Sequence, residues 1–315
     1  MSMTRTIRVG TRGSVLARTQ TQTVADALDA PTEIVHIVTA GDRSAAPVEQ
    51  IGGTGVFVSA LRDALLRNEI DVAVHSYKDL PTAPAEGIVI AAVPVREDPR
   101  DALVARDGLT LGELPTGARI GTGSQRRTAQ VRALGLGLEV VPIRGNVDTR
   151  LRLVAEGAVD GVILAIAGLR RLGRADEVTE VLDPIQVLPA PAQGALAVEC
   201  RADDLSLINL LSAVDHRYTR AAVTAERAML AALEGGCTAP IAAQAEIAEV
   251  SDDAGVVNTE IYLRGSVTAS DGSRAVRLSA TGPVTDADGI GRRLAAELIS
   301  EGATDLLATG QASST

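Results

Sequence analysis

Along its first two thirds, the chain alternates between a two-residue and a three-to-four-residue spacing of hydrophobic positions. Thr6-Ile7-Arg8-Val9-Gly10 predicts a short strand, and Thr11-Arg12-Gly13-Ser14 a turn. Val15 to Leu28 carries helical spacing at Leu16, Val24 and Leu28. Ile34 to Thr39 predicts a second strand. A glycine-rich loop, Gly41 to Gly55, precedes a helix near Val56 to Leu66 with apolar Val58, Leu61, Leu65 and Leu66. Asp71 to Ser76 reads as a buried strand. Strands that alternate with amphipathic helices imply βαβ units around a largely covered sheet.

The plan then recurs. Ala118 to Ser124 is strand and turn, Gln125 to Leu134 a helix, Gly145-Asn146-Val147-Asp148 the opening of a helix through Val154, and Asp160 to Ile166 a strand. Arg8-Val9-Gly10-Thr11 matches Arg119-Ile120-Gly121-Thr122, and Glu69 to Val74 matches Ala158 to Ile163. The two offsets differ, so the repeat is one of topology and not of tandem sequence. Two α/β domains of similar plan would leave a cleft, a common ligand site. Arg96-Glu97-Asp98-Pro99-Arg100-Asp101 and the proline-rich Pro184 to Gln193 read as the two crossings between them. From Arg217 the pattern changes to a helix (Thr219 to Leu233), a Gly-Gly-Cys loop, three strands (Gln244 to Glu249, Asn258 to Ser266, Ala275 to Thr281) and a helix (Ala287 to Ser300). This predicts a small antiparallel α+β domain.

Composition narrows the function. Net charge is −10 and no basic run is present, which argues against nucleic acid. One Phe, three Tyr and no Trp leave too few platforms for stacking on single strands. No apolar run reaches the roughly 18 to 20 residues of a membrane span, and the first residues lack the apolar segment of an export signal. A cytoplasmic chain is therefore expected, with Cys200 and Cys237 as thiols and not a disulfide framework. His36 and His216 have no metal-ligand spacing, so no metal is expected.

The 30 basic residues include a single lysine, Lys78. Arg12, Arg126, Arg127, Arg144, Arg150, Arg170 and Arg171 fall at predicted strand ends or first helical turns. Helix N-termini attract anions, Ser14 and Ser124 are placed to cap such helices, and arginine grips carboxylates bidentately. A ligand with several carboxylates or phosphates fits this set. Lys78-Asp79, at the end of the His75-Ser76 strand, suits a general acid/base or a plain surface ion pair. His75, in an apolar strand, reads as a packed histidine. Cys237 sits in a shaped loop, Gly235-Gly236-Cys237-Thr238-Ala239-Pro240, as a nucleophile or a chance turn cysteine. The Gly41 to Gly55 loop lacks the Gly-Lys-Ser/Thr ending of a phosphate loop. It is long enough to be a lid, with Phe57 behind it as a lid aromatic or a core anchor.

Taken in order, several stretches resemble the porphobilinogen deaminase (hydroxymethylbilane synthase) family. They are Gly10-Thr11-Arg12-Gly13-Ser14, Ala73 to Pro81, Arg96 to Ala102, Ile120 to Arg127, Arg144 to Arg150, Ile163 to Gly173, Pro191-Ala192-Gln193-Gly194-Ala195 and Leu233 to Cys237. The resemblance implies an α/β protein with two periplasmic-binding-protein-like domains around a cleft and a smaller C-terminal α+β domain with an antiparallel sheet. The boundaries would be 1–97 with 196–215, then 98–195, then 216–315. It implies a monomeric transferase that joins four porphobilinogens head to tail, with loss of ammonia, and releases 1-hydroxymethylbilane. It also implies a dipyrromethane cofactor held by a thioether to Cys237. By matching position, Asp79 is the catalytic carboxylate, with Lys78 beside it. Arg12, Ser14, Ser76, Lys78, Thr122, Ser124, Arg126, Arg127, Arg144, Arg150, Arg171 and Gln193 would bind cofactor and substrate. Two departures stand out: Gln50 and Thr54 replace lysines common in relatives, and Gly123 replaces a serine. The alternatives are a non-catalytic two-lobed binding protein for a polycarboxylate and an unrelated cysteine enzyme.

Overall fold

The computed structural model describes residues 5–37, 55–233, 239–251 and 257–312, with side chains for all of these except 55–57 and 308–312. The chain divides into two compact units, 1–97 with 195–220 and 98–194 with 221–315.

The first unit is built on a five-stranded sheet. In chain order its elements are β1 (Ile7–Thr11), α1 (Val15–Asp26), β2 (Thr32–His36), α2 (Gly55–Leu66), β3 (Val72–Ser76) and β4 (Ile88–Ala92). The sheet order is β2-β1-β3, then a late strand from residues 196–201, then β4. The first three strands are parallel, and the late strand runs antiparallel to both of its neighbours. The helix α2 lays Leu61, Ala64 and Leu65, each fully buried, over Ile70 and Ala73. Each leucine buried this way contributes about 1.5–3 kcal/mol.

The second unit holds two sheets. Its elements begin with β5 (Asp101–Ala105), β6 (Arg119–Thr122), α3 (Gln125–Ala133), β7 (Glu139–Pro142), α4 (Val147–Ala155), β8 (Gly161–Ala165), α5 (Ile166–Arg171) and β9 (Glu180–Val181). The late strand of the first unit is β10 (Leu196–Arg201), followed there by α6 (Leu205–Leu211). The order β7-β6-β8-β5-β9 repeats the first sheet role for role, with β5 antiparallel in the place of β10.

The register confirms the offset repeat read from the sequence. Val9 pairs with Val72 as Ile120 pairs with Gly161. Gly10 and Gly121 then hold the same position. A Cβ at Gly10 would meet the end of the Ile70 side chain at 2.3 Å, and one at Gly121 the end of Ile143 at 2.8 Å, so a side chain at either position would have to displace a packed isoleucine. A second repeated device clamps the strand starts. Arg8 N donates to Asp71 Oδ2 at 2.9 Å, and Arg119 N donates to Asp160 Oδ2 at 2.7 Å. Burial alone would raise the Asp71 carboxyl. Hydrogen bonds from Arg8 and the charges of Arg5 and Arg8 outweigh burial and pull it down to about 2.

The chain then forms α7 (Arg217–Ala232), the antiparallel strands β11 (Ile241–Ser251), β12 (Val257–Thr268) and β13 (Ala275–Pro283), and the helices α8 (Ala287–Ser300) and α9 (Ala303–Ala312). One face of this meander buries Ile261, Leu263 and Val267 against Met229, Leu294 and Leu298. This is the antiparallel α+β plan expected for the last third. No helix among the described residues is long and apolar enough to cross a membrane.

Candidate active site

The expected site residues fall in both units. In the first, Ser14 caps α1, its hydroxyl accepting from Ala17 N at 3.2 Å. Arg12 lies half-buried just after β1. Ser76 ends β3, and its hydroxyl is hydrogen-bonded to the Gln20 amide, with Gln20 Nε2 at 2.9 Å. Gln20 is buried on the inward face of α1. The spacing of apolar residues does not reveal it, because the side chain it answers lies 56 positions away.

Lys78 and Asp79 occupy a single 3-10 turn, Tyr77–Asp79, that continues β3 without a side-chain cap. Tyr77 N donates to Ala195 O at 3.0 Å, and Leu80 N donates to Tyr77 O at 3.2 Å. The strand end therefore sets where the half-buried Lys78 and Asp79 project. His75 is packed, as its apolar strand predicts, but it also has a charged neighbour. Its Nε2 lies 3.3 Å from Glu199 Oε2. Arg62 closes the other side of that carboxylate, with Nη2 2.6 Å from Oε1 and Nε 3.1 Å from Oε2.

In the second unit, Thr122 ends β6 and its hydroxyl accepts from Ser124 N at 3.2 Å. Ser124 caps α3, accepting from Arg127 N at 3.4 Å. Asn146 caps α4 in the same way, accepting from Thr149 N at 2.9 Å. Arg144 is exposed at the turn before α4. Arg150 folds back from the first turn, its Nε donating to Gly145 O at 2.9 Å. Burial lowers the Arg150 guanidinium below its ordinary value, and the charges of Arg127 and Arg144 push it further down. Arg127 and Arg144 thus lie near enough for their charges to act on Arg150.

Arg126 and Arg127 sit deeper than their position in a helical first turn suggests. Both are buried on Asp101, the first residue of β5, whose side chain is fully buried. Arg126 Nη2 donates to Asp101 Oδ2 and Arg127 Nη2 to Oδ1, each at 2.7 Å. Their Nη1 atoms donate to the carbonyls of Leu188 and Ile163. Gln193, also buried, donates from Nε2 to Asp101 Oδ1 and to Pro99 O, both at 2.7 Å. Burial alone would raise the Asp101 carboxyl, but the two guanidiniums hold it far below the carboxylate range. Arg171 Nη2 donates to Gly194 O at 2.7 Å. Arg126, Arg127 and Gln193 thus face a protein carboxylate, whereas Arg144 and Arg150 line the turn before α4.

The cysteine Cys237, the 41–55 lid loop as far as Thr54, Gln50 and the Phe57 side chain lie outside the described residues. Cys200 is fully buried in β10, and burial raises its thiol to about 11, so it is no nucleophile.

Comparison with known proteins bears on the whole chain. The description "Porphobilinogen deaminase, dipyromethane cofactor binding domain" matches residues 7–209, and "Porphobilinogen deaminase, C-terminal domain" matches 220–300. A porphobilinogen deaminase of Nocardia farcinica is 59% identical over 304 residues, covering 96% of this chain and 88% of that one. One of Mycobacteroides abscessus is 59% identical over 96% of this chain and 99% of its own. One of Mycobacterium tuberculosis is 58% identical, with coverages of 96% and 98%. A putative methionine-binding lipoprotein of Bacillus subtilis aligns with 68% of this chain and 91% of its own at 13% identity and a TM-score of 0.42, too distant to speak to function.

Proposed function

The chain belongs to the porphobilinogen deaminase family, and from that premise we propose how its own residues carry the reaction. The protein is a transferase of tetrapyrrole biosynthesis. It polymerises four porphobilinogen molecules head to tail, with loss of ammonia, on a covalently bound dipyrromethane primer, and releases 1-hydroxymethylbilane. The observation that carries this is identity of 59% along 96% of the chain. A non-catalytic binding protein is not favoured.

The donor set suits a dipyrromethane and its growing chain, because every pyrrole brings two carboxylates. The charges of Arg127 and Arg144 act on Arg150, and Ser124 caps the helix that carries Arg127. Each charge-assisted contact to a carboxylate is worth roughly 1.5–3 kcal/mol. When bound, the dipyrromethane supplies the pyrrole carbon to which the first substrate is joined. We assign its thioether to Cys237.

Asp79 is assigned as the catalytic carboxylate. An anion on an uncapped turn can face a pyrrole N–H, stabilise positive charge on that nitrogen as ammonia leaves, and take up the proton released later. Lys78, the sole lysine, holds a carboxylate beside it. Arg12, Ser14, Ser76, Thr122, Ser124, Arg127, Arg144, Arg150 and Arg171 are assigned to ring carboxylates. Arg126 and Gln193 serve the same purpose indirectly, by fixing Asp101 and with it Arg127. The roles divide by domain: 1–97 with 196–215 for catalysis, 98–195 for anion binding, and 216–315 for the cofactor-bearing cysteine. The working form is a cytoplasmic monomer.

Asp79→Asn tests the assignment. The variant should keep its far-ultraviolet circular dichroism while porphobilinogen consumption falls by about 10²-fold or more. Wild-type turnover in the folded variant would remove Asp79 from the mechanism.

A further inference from the structure

A buried charged cluster lies on the strand that leads into the Tyr77–Asp79 turn, on residues with no assigned part in the reaction. Glu199 on β10 is 1% exposed and His75 on β3 is 6% exposed. Ala197 pairs with His75 and Glu199 with Ala73 across the antiparallel ladder. His75 and Glu199 are therefore diagonal neighbours on one face, the arrangement in which long side chains meet. Arg62 descends on the same carboxylate from α2 and grips both of its oxygens. The surroundings are apolar, with Leu61, Leu65, Ile70 and Ala73 packed in the same layer. A carboxylate in such a place is costly unless paired; here Arg62 bonds both oxygens and His75 Nε2 lies 3.3 Å from one of them.

What the cluster touches gives it a role. His75 is one residue from Ser76 and four from Asp79. The turn that carries Asp79 continues the end of β3, and the bond from Tyr77 N to Ala195 O helps to fix it there. Both anchors involve the β3–β10 pair, and Glu199 ties those two strands to α2 through His75 and Arg62. We propose that Glu199 is a positioning residue of the reaction, which sets the direction of the Asp79 turn through His75 and Arg62. This rests on Asp79 being the catalytic carboxylate. Without the charge of Glu199, the imidazole and guanidinium lose their common anchor and the strand end relaxes. A displacement of about 1 Å at a reacting group can cost up to ~10² in rate.

The test is Glu199→Gln, with Glu199→Asp as the conservative variant and His75→Gln as a second route to the same link. Each is assayed as the cofactor-loaded enzyme, alone and combined with Asp79→Asn. Glu199→Gln and His75→Gln should lower kcat for porphobilinogen by about 10-fold or more. KM should stay within about twofold, because uniform binding is untouched. Glu199→Asp should restore part of the rate. In the Asp79→Asn background, Glu199→Gln should cost nothing further, since its effect passes through Asp79. Unchanged kcat in both single variants, a rise in KM alone, or a full additional loss in the Asp79→Asn background would overturn the proposal. If Asp79→Asn by itself stays fully active, the catalytic assignment fails instead, and that arm reads it separately.

Discussion

Replacing Asp101 by asparagine takes away the carboxylate that two buried arginines share. Arg126 and Arg127 have side chains 4% and 6% exposed, and each donates to Asp101 at 2.7 Å. Gln193 adds a third bond at the same distance. Breaking a buried pair by removing one partner costs about 3–5 kcal/mol, because the remaining charge stays dry and uncompensated. In a unit of about 190 residues, each kcal/mol moves the melting midpoint by about 2–4 °C. Asp101→Asn should therefore melt about 6–20 °C below wild type in a thermal scan followed by circular dichroism. Glu69→Gln is the control, since Glu69 pairs with Arg67 at an exposed site and its loss should leave the midpoint unmoved. A drop of less than about 2 °C for Asp101→Asn would refute the reading of Asp101 as the hub of this core.

Two further outcomes are expected. Burial alone would raise the Glu199 carboxyl, but the neighbouring His75 and Arg62 bring it from 4.5 down to about 2. Its stabilisation is then complete above about pH 5 and is lost as pH falls through about 2. The stability gap between wild type and Glu199→Gln should narrow by roughly 3 kcal/mol over that window, read from urea midpoints at stepped pH; a constant gap would contradict it. At Gly145, φ is 103° and a Cβ would lie 2.6 Å from the Thr149 side chain. Gly145→Ala adds about 1–3 kcal/mol of strain where Arg150 bonds the backbone. KM for porphobilinogen should rise about 10-fold with kcat nearly unchanged; an unchanged KM would detach Arg150 from binding.

Much of the fold was legible because it is written in local pattern. The two offsets between matching strands reappear as equivalent registers, Val9 with Val72 and Ile120 with Gly161. Ser14 and Ser124 cap the helices they precede. The antiparallel strands β5 and β10 were harder to read, since a run such as Ala102-Leu103-Val104 carries no mark of the direction of its partner. Burial of charge was hidden too. Asp101 looks like the end of a charged crossing, and Arg126-Arg127 like an exposed first turn, because the contacts that bury them span 25 and 26 positions. One signal was present: Glu199 stands inside the apolar run Ala197-Val198-Glu199-Cys200, and a carboxylate there must be paired.

The proposed reaction turns on a primer carried by the chain itself, and intact-mass analysis with peptide mapping of purified active protein reads that directly. An adduct of two pyrrole units should appear on the peptide that contains Cys237 and vanish in Cys237→Ser, along with turnover of porphobilinogen. An unmodified Cys237 thiol in fully active protein would contradict it.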